Sequence, residues 1–436
     1  MSTEINRLSE LAKEDPKRKF FSIAHLITPE KMYAAFLNLR KDASAGVDGV
    51  TYEEYEKDAA RNIRELHRRL KDGKYRAQPL RRVYIPKENG KQRPISIPAL
   101  EDKLVQKVVV EILNAIYEQD FLDCSYGFRP GRGAHHALDE VGRVICTRPT
   151  EWILELDITS YFDTIVRKQL IEMIEKRISD DSVLRLIRKW IQVGVIEEGR
   201  VLMSETGTGQ GQPISPILAN IYLHYILDEW FEEVVKPRMK GEAREIRFAD
   251  DAILCFEHKE DAEKVKEVLA KRFSRFGLTL HPEKTRLVEF GRYAARNAKR
   301  QGKKPQTFDF LGFTHMCARS RNGKFTVHVK TIGKRFRRGL KAIAEWCQKN
   351  RHQPVDAQQK TLNAKLRGHY QYYGRPTNYR SLRQFYRNVR RIWREWLSRR
   401  TRGRWLTWER YDKILRQHPL LLPRITHPWQ GAGSIA

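Results

Sequence analysis

Cysteine is scarce and scattered. The five residues, Cys124, Cys146, Cys255, Cys317 and Cys347, are odd in number and never stand as Cys-x-x-Cys. That spacing argues against a disulfide framework and against a cysteine-built zinc site. Long apolar runs are missing too: none reaches the ~20 residues of a membrane-spanning helix. Residues 1–19 mix both charge signs and hold no apolar signal-peptide core, so a cytoplasmic location without membrane contact is expected. Internal repeats and disordered linkers are lacking as well. Acidic residues are rare in one place only. From 291 to 436 there are 35 Lys and Arg against 6 Asp and Glu. This segment accounts for the whole net charge of +29 and leaves 48 residues of each sign in 1–290.

What is there follows from that asymmetry. A neutral body with a strongly basic last third calls for a polyanionic partner, most simply nucleic acid. A solvated basic tail is the plainer reading. However, six of the nine tryptophans, Trp346, Trp393, Trp396, Trp405, Trp408 and Trp429, lie in the same segment, and a tail has no use for them.

Hydrophobic spacing outlines the elements. Residues 1–75 read as helical, with Thr28-Pro29-Glu30 as a helix start and a break at 45–49. Val83-Tyr84-Ile85-Pro86 and Arg93-Pro94-Ile95-Ser96-Ile97-Pro98 flank Lys87-Glu88-Asn89-Gly90-Lys91 and read as a hairpin with a basic tip. A helix is expected over 100–116, with Leu104, Val108, Ile112 and Ala115 on one face. Residues 152–158 read as a buried strand ending in Asp157, and 168–195 as helical. A helix starts near Ser215-Pro216 and runs to Trp230. Residues 246–256 read as a hairpin with Asp250-Asp251 at its bend, followed by a helix over 261–276. Strands are expected at 307–314 and 324–329, then basic helices to about residue 400.

Acids in apolar strands need a reason, because an unpaired buried charge is costly. Asp157 follows Trp-Ile-Leu-Glu-Leu, and Asp250-Asp251 lie between Ile246/Phe248 and Ile253/Leu254. Three carboxylates drawn together repel one another unless a divalent cation neutralises them. Oxygen-only ligands suit Mg²⁺, and two such ions ~3.5–4 Å apart serve phosphoryl transfer. An Asp-Asp pair alone is a weak signal, since surface pairs are commoner; the apolar flanks strengthen it.

Here a family resemblance becomes legible. Phe248-Ala249-Asp250-Asp251 resembles the x-Ala-Asp-Asp box of reverse transcriptases, where Tyr usually stands first. Residues 157–163, Asp-Ile-Thr-Ser-Tyr-Phe-Asp, resemble their first metal-binding block. Residues 208–220 resemble the block commonly written Thr-Pro-Gln-Gly-Gly-x-x-Ser-Pro-x-Leu-Ala-Asn, with Gly209 and Gln212 where Pro and the second Gly are usual. Residues 278–285 and 308–313 complete the series in family order. Asp48-Gly49-Val50, residues 125–132 (Ser-Tyr-Gly-Phe-Arg-Pro-Gly-Arg) and residues 362–374 narrow the resemblance to group II intron-encoded reverse transcriptases and maturases. Those proteins often continue into an endonuclease with paired Cys-x-x-Cys; with neither pair present, no HNH endonuclease is expected.

The resemblance implies an α+β, right-hand polymerase. An N-terminal extension (1–75) would precede fingers and palm with an antiparallel sheet (76–315). An α-helical thumb or maturase domain (316–400) and a short basic segment (401–436) would follow. Asp157, Asp250 and Asp251 would be catalytic and hold two Mg²⁺, or Mn²⁺ as a substitute, with the Ile158 carbonyl assisting. Lys87, Arg93, Phe162, Gln210 and Gly211 would bind the dNTP. Phe162 would exclude a ribose 2′-hydroxyl; its plainer reading is a core phenylalanine. Arg129, Arg132, Lys284, Arg335, Arg337, Arg338, Arg387, Arg390, Arg391 and Arg394 would contact nucleic acid, whereas Trp393 and Trp396 read as core and His135-His136 as a surface pair. The implied activity is RNA-directed DNA polymerisation from a DNA or RNA primer on an RNA template. Binding of a group II intron RNA for splicing and mobility would accompany it. The rivals are an intron-independent relative in DNA repair, phage defence or CRISPR-linked acquisition, a non-catalytic maturase, and a template-independent or DNA-templated polymerase.

Overall fold

The computed structural model describes residues 3–86, 92–197, 200–202, 206–400 and 405–428. They form two compact units: Met1–Ala137 with Leu154–Leu287, and Leu138–Ile153 with Val288–Ala436.

In the first unit, side-chain caps open the early helices. Thr28 accepts from the Lys31 amide at the start of Pro29–Leu37, and Thr51 with Glu54 forms a capping box at Tyr52–Glu56. Strands β1 (Leu80–Pro86) and β2 (Gln92–Ile97) pair antiparallel, as their composition predicts. The Leu100–Tyr117 helix buries the predicted face and more, because Val105, Val109, Leu113 and Ile116 are also buried.

Strand β3 (Trp152–Leu156) runs into Asp157. The continuous helix expected over 168–195 is instead two, Arg167–Ile174 and Asp181–Gln192. The cause is local: the Asp180 carboxylate accepts from the Ser182 and Val183 amides and caps a new helix. Strands β4 (Val195–Glu197) and β5 (Arg200–Leu202) follow, and the sheet order is β2-β1-β4-β5, with β1 and β4 parallel.

A second sheet of order β6-β7-β3-β8 is built from β6 (Ala243–Phe248), β7 (Asp251–Phe256), β3 and β8 (Arg286–Glu289). The helix from Ser215 keeps α geometry to Leu223, then widens into π-turns at His224–Asp228 and Phe231–Val235.

The second unit carries a three-stranded sheet with Phe313–Arg319 between Phe325–Thr331 and Thr307–Phe310. Residues 307–314, expected as one strand, are split between β9 (Thr307–Phe310) and β10 (Phe313–Arg319), with β11 (Phe325–Thr331) alongside. Leu311 and Gly312 turn the chain between them at φ 45° and 83°. Helices Gly333–Asn350, Val355–Tyr373, Tyr379–Ser398 and Trp408–Gln417 enclose a core of Ile343, Leu362, Leu366, Phe385, Val389 and Trp393, among others. Trp393 is fully buried and its indole donates to Gln358, so it is core. None of the five cysteines is joined in a disulfide. Among the described residues no helix is long and apolar enough to cross a membrane.

Candidate active site

Asp157 sits where β3 ends, and the chain around it is pinned. Its carbonyl accepts from the His281 amide (2.8 Å), the Thr159 amide donates to Thr279 (2.9 Å), and Ile158 bridges Leu280. The half-buried carboxylate is met by the Lys284 ammonium, 2.5 Å from Oδ2.

The second acid comes from the β6–β7 hairpin. Phe248 pairs with Asp251, leaving Ala249 and Asp250 as a two-residue turn with Ala249 at φ 57°. The adjacent acids therefore part ways: Asp250 is half-buried in the turn, whereas Asp251 is exposed as the first residue of β7. Burial raises the Asp250 carboxyl above its ordinary range, and the charge of Asp157 raises it further; its own amide and the cations Arg93 and Arg247 act against this. Asp157 and Asp250 thus share one electrostatic neighbourhood, on strands adjacent in the sheet.

Among the described residues, the only three metal-ligand-type side chains with donor atoms within 4.8 Å of one another are Cys124, Asp228 and Glu245, not the three aspartates. A guanidinium already serves that trio. Arg247, wholly buried, donates from Nε and Nη2 to the two Asp228 oxygens at 2.7 and 2.5 Å. Its Nη1 reaches the Ala249 carbonyl (2.9 Å) and Asn220 Oδ1 (3.2 Å). Sequence reasoning passed over Arg247 and Asp228. The available signal was a charged residue between the apolar Ile246 and Phe248, directly before the Ala249-Asp250-Asp251 turn.

The residues expected to hold a nucleotide fall on three segments. Arg93 is exposed on β2 opposite Ile85, and its charge acts on Asp250. Lys87 lies outside the described residues. Phe162 is half-buried on the short Tyr161–Thr164 helix, and its carbonyl accepts from the Thr208 amide at 3.0 Å. Gln210 accepts from the Ser96 amide at 2.7 Å. Gly211 lies so close that a Cβ there would sit 2.7 Å from the Ser96 carbonyl. The loop thus rests on β2, and Gln212 holds it. That buried side chain donates to the Thr208 and Trp190 carbonyls (2.9 and 3.2 Å) and accepts from Gln106 (2.8 Å).

One expected phosphate contact needs correction. Arg129 is 5% exposed, and its guanidinium donates to Glu118 and to the carbonyls of Phe121, Leu122 and Ser125. It has no donor left for a phosphate and organises its own loop. Arg132 is half-buried, pairs with the exposed Asp123 at 2.6 Å, and lies over the Tyr126 ring.

The second unit's arginines also divide. Arg337, Arg338, Arg387 and Arg391 are exposed and Arg335 is half-buried. Arg390 pairs with Asp412 at 3.0 Å, and Arg394 stacks 3.9 Å over Trp408. Trp396 is half-buried, as are His135 and the core-flanking Trp346, while His136 is exposed.

Comparison with known proteins adds a second line of observation. The family model described as reverse transcriptase (RNA-dependent DNA polymerase) matches residues 85–315, just over half of the chain. The chain is 32% identical over 302 residues to the group II intron-encoded protein LtrA of Lactococcus lactis subsp. cremoris, an alignment covering 66% of this chain and 50% of that protein. It is 37% identical over 250 residues to protein YkfC of Escherichia coli (strain K12), covering 56% and 64%. An uncharacterized 91 kDa protein in the cob intron of Schizosaccharomyces pombe is 34% identical over 238 residues, covering 53% and 29%. The chain spans about half the length of LtrA and less than two thirds of the other two.

Proposed function

Because this chain belongs to the reverse transcriptase (RNA-dependent DNA polymerase) family and is similar to group II intron-encoded proteins, we propose that it extends a primer 3′-hydroxyl with dNTPs on an RNA template. We also propose that it binds a group II intron RNA as its maturase. The observation that carries the polymerase reading is the meeting of Asp157 and Asp250. The two carboxylates stand on neighbouring strands, both are half-buried, and the Asp157 charge raises the cost of ionising Asp250.

Such a pair calls for a cation. The donors are all oxygen, which fits Mg²⁺ with Mn²⁺ as a substitute. Asp157, Asp250 and Asp251, with the Ile158 carbonyl, are the residues to hold it. When bound, two such ions lower the pKa of the attacking hydroxyl and neutralise charge on the leaving pyrophosphate. Lys284, 2.5 Å from the Asp157 carboxylate, places a cation beside the site to meet a phosphate.

The other residues of the first unit bind and orient. Arg93 places a fixed cation for the triphosphate. Gln210 and Gly211, laid along β2, face the nascent base pair. Phe162, which is not sealed in the core, closes the space a 2′-hydroxyl would need. In this reading residues 76–315 are fingers and palm, and 316–400 are the thumb that carries the basic RNA-binding surface.

The test is incorporation of dTTP and UTP on a poly(rA)/oligo(dT) substrate by wild type and Phe162→Ala. Wild type should add dTTP and reject UTP, and Phe162→Ala should accept UTP. Absence of template-dependent dTTP addition would refute the polymerase reading; unchanged sugar choice would reduce Phe162 to packing.

A further inference from the structure

The Arg247 guanidinium has more partners than ion pairing requires. It is bidentate to Asp228, bonded to Asn220, and bonded to the Ala249 carbonyl two residues along its own chain. Arg247 and Asp228 are both 0% exposed. A buried ion pair is a poor way to gain stability, because packed apolar residues of similar volume usually do as well. Its retention therefore asks for another role.

The partners locate that role. Ala249 is a non-glycine residue in the left-handed region, at φ 57°, a conformation that persists only where the surroundings enforce it. The guanidinium holds its carbonyl from one side. Gly127 closes the other: a Cβ there would stand 2.3 Å from the Ala249 nitrogen. Asn220 links the two, accepting from Arg247 and donating to the Gly127 carbonyl at 2.6 Å. The Arg247 backbone is tied to the same loop, its amide donating to Cys124 and its carbonyl accepting from Tyr126, both at 2.8 Å.

Asp228 reaches the guanidinium from the π-turn His224–Asp228, a widened helical segment of the kind often found at functional sites. Glu245 completes the enclosure. Burial, and after it the neighbouring Asp228, push its carboxyl well above the usual range, while the Arg247 charge acts against this.

We propose that Arg247 is a positioning residue: anchored by Asp228 and braced through Asn220 and Gly127, it fixes the Ala249 carbonyl and so aims the Asp250 carboxylate at the space it shares with Asp157. The proposal deepens the polymerase reading and rests on it. A planar fork is required, since only such a group engages a carboxylate bidentately and still reaches two further acceptors; lysine offers a point charge.

Arg247→Lys keeps the charge opposite Asp228 but loses the fork, and Asn220→Ala removes the brace without leaving a buried charge unpaired. Each should lower kcat for dNTP addition, by at least tenfold for Arg247→Lys and less for Asn220→Ala. The Mg²⁺ concentration for half-maximal rate should rise and Mn²⁺ affinity by electron paramagnetic resonance should fall. Primer–template Kd should stay within twofold of wild type. Asp250→Asn is run beside them. If Asp250→Asn stays active, the polymerase assignment of this site fails. If it is inactive while the folded Arg247 and Asn220 variants keep wild-type kcat and metal dependence, the positioning role alone is overturned. A loss confined to melting temperature or to primer–template Kd overturns it equally.

Discussion

A single torsion decides how the 208–212 loop differs from its family. Gly209 stands at φ 68°, which proline, held near −65°, cannot adopt. Restoring the family's usual residue by Gly209→Pro should therefore weaken dNTP addition, in kcat/KM, and lower the melting temperature. Equal or better activity would show that the loop tolerates the other conformation. Gln212 explains the second departure: its amide satisfies two carbonyls and the Gln106 amide in a buried place, so the loop is restrained by a side chain where others use compact glycine. Neither point was legible in the sequence, because both depend on what lies across the loop.

His369 gives a pH prediction at the same scale. Burial lowers it to about 4, and its ring stacks 3.7 Å from that of Phe385. The folded state thus resists protonation that the unfolded state accepts below its ordinary pKa of ~6.5. Stability is complete above that value and falls as pH drops toward 4, by roughly 2 kcal/mol between pH 7 and 5. His369→Phe removes this titration, so its melting temperature relative to wild type should climb on acidification. A difference independent of pH would contradict the assignment.

At the scale of elements, the Tyr379–Ser398 helix separates its faces cleanly. Leu382, Phe385, Val389, Trp393 and Leu397 are buried, while Arg380, Arg383, Arg387 and Arg391 form an exposed stripe at intervals of three and four residues. Arg390 and Arg394, expected on the same surface, are engaged by Asp412 and Trp408. Changing the four exposed arginines to Gln should flatten the salt dependence of RNA binding, by roughly one unit of slope per lost phosphate contact. Changing Arg390 and Arg394 should lower the melting temperature and leave the slope alone. The opposite pattern would place the nucleic-acid surface on the inner pair.

Elements were legible wherever hydrophobic spacing determines them. The β6–β7 hairpin followed from apolar residues on both sides of two acids, and the core face of the Leu100–Tyr117 helix from its period. The sequence was misread where a side chain's hydrogen-bond partners, local or distant, override the hydrophobic pattern. Asp180 starts a second helix inside an apparent one. Arg129 looks like a phosphate ligand until Glu118, eleven residues away, claims it. Arg247 was passed over because a charged strand residue reads as solvent-facing unless its partner, Asp228, is seen.

Across the whole molecule, charge and chemistry are kept apart. Residues 1–290 carry equal numbers of each sign and contain Asp157, Asp250 and Asp251, while 291–436 hold the entire positive excess. That division was readable from composition, and the acids from their apolar flanks. The division into compact units was not: Leu138–Ile153 joins Val288–Ala436 through contacts between segments far apart in sequence. We propose that Asp157 and Asp250 together hold the ions serving nucleotide addition. This is tested most directly by the single-turnover rate of dNTP addition by Asp250→Asn at saturating primer–template. The rate should fall by roughly 10³-fold, the scale of a lost charge-stabilising group, with primer–template affinity and folding intact. A rate within about threefold of wild type would contradict it.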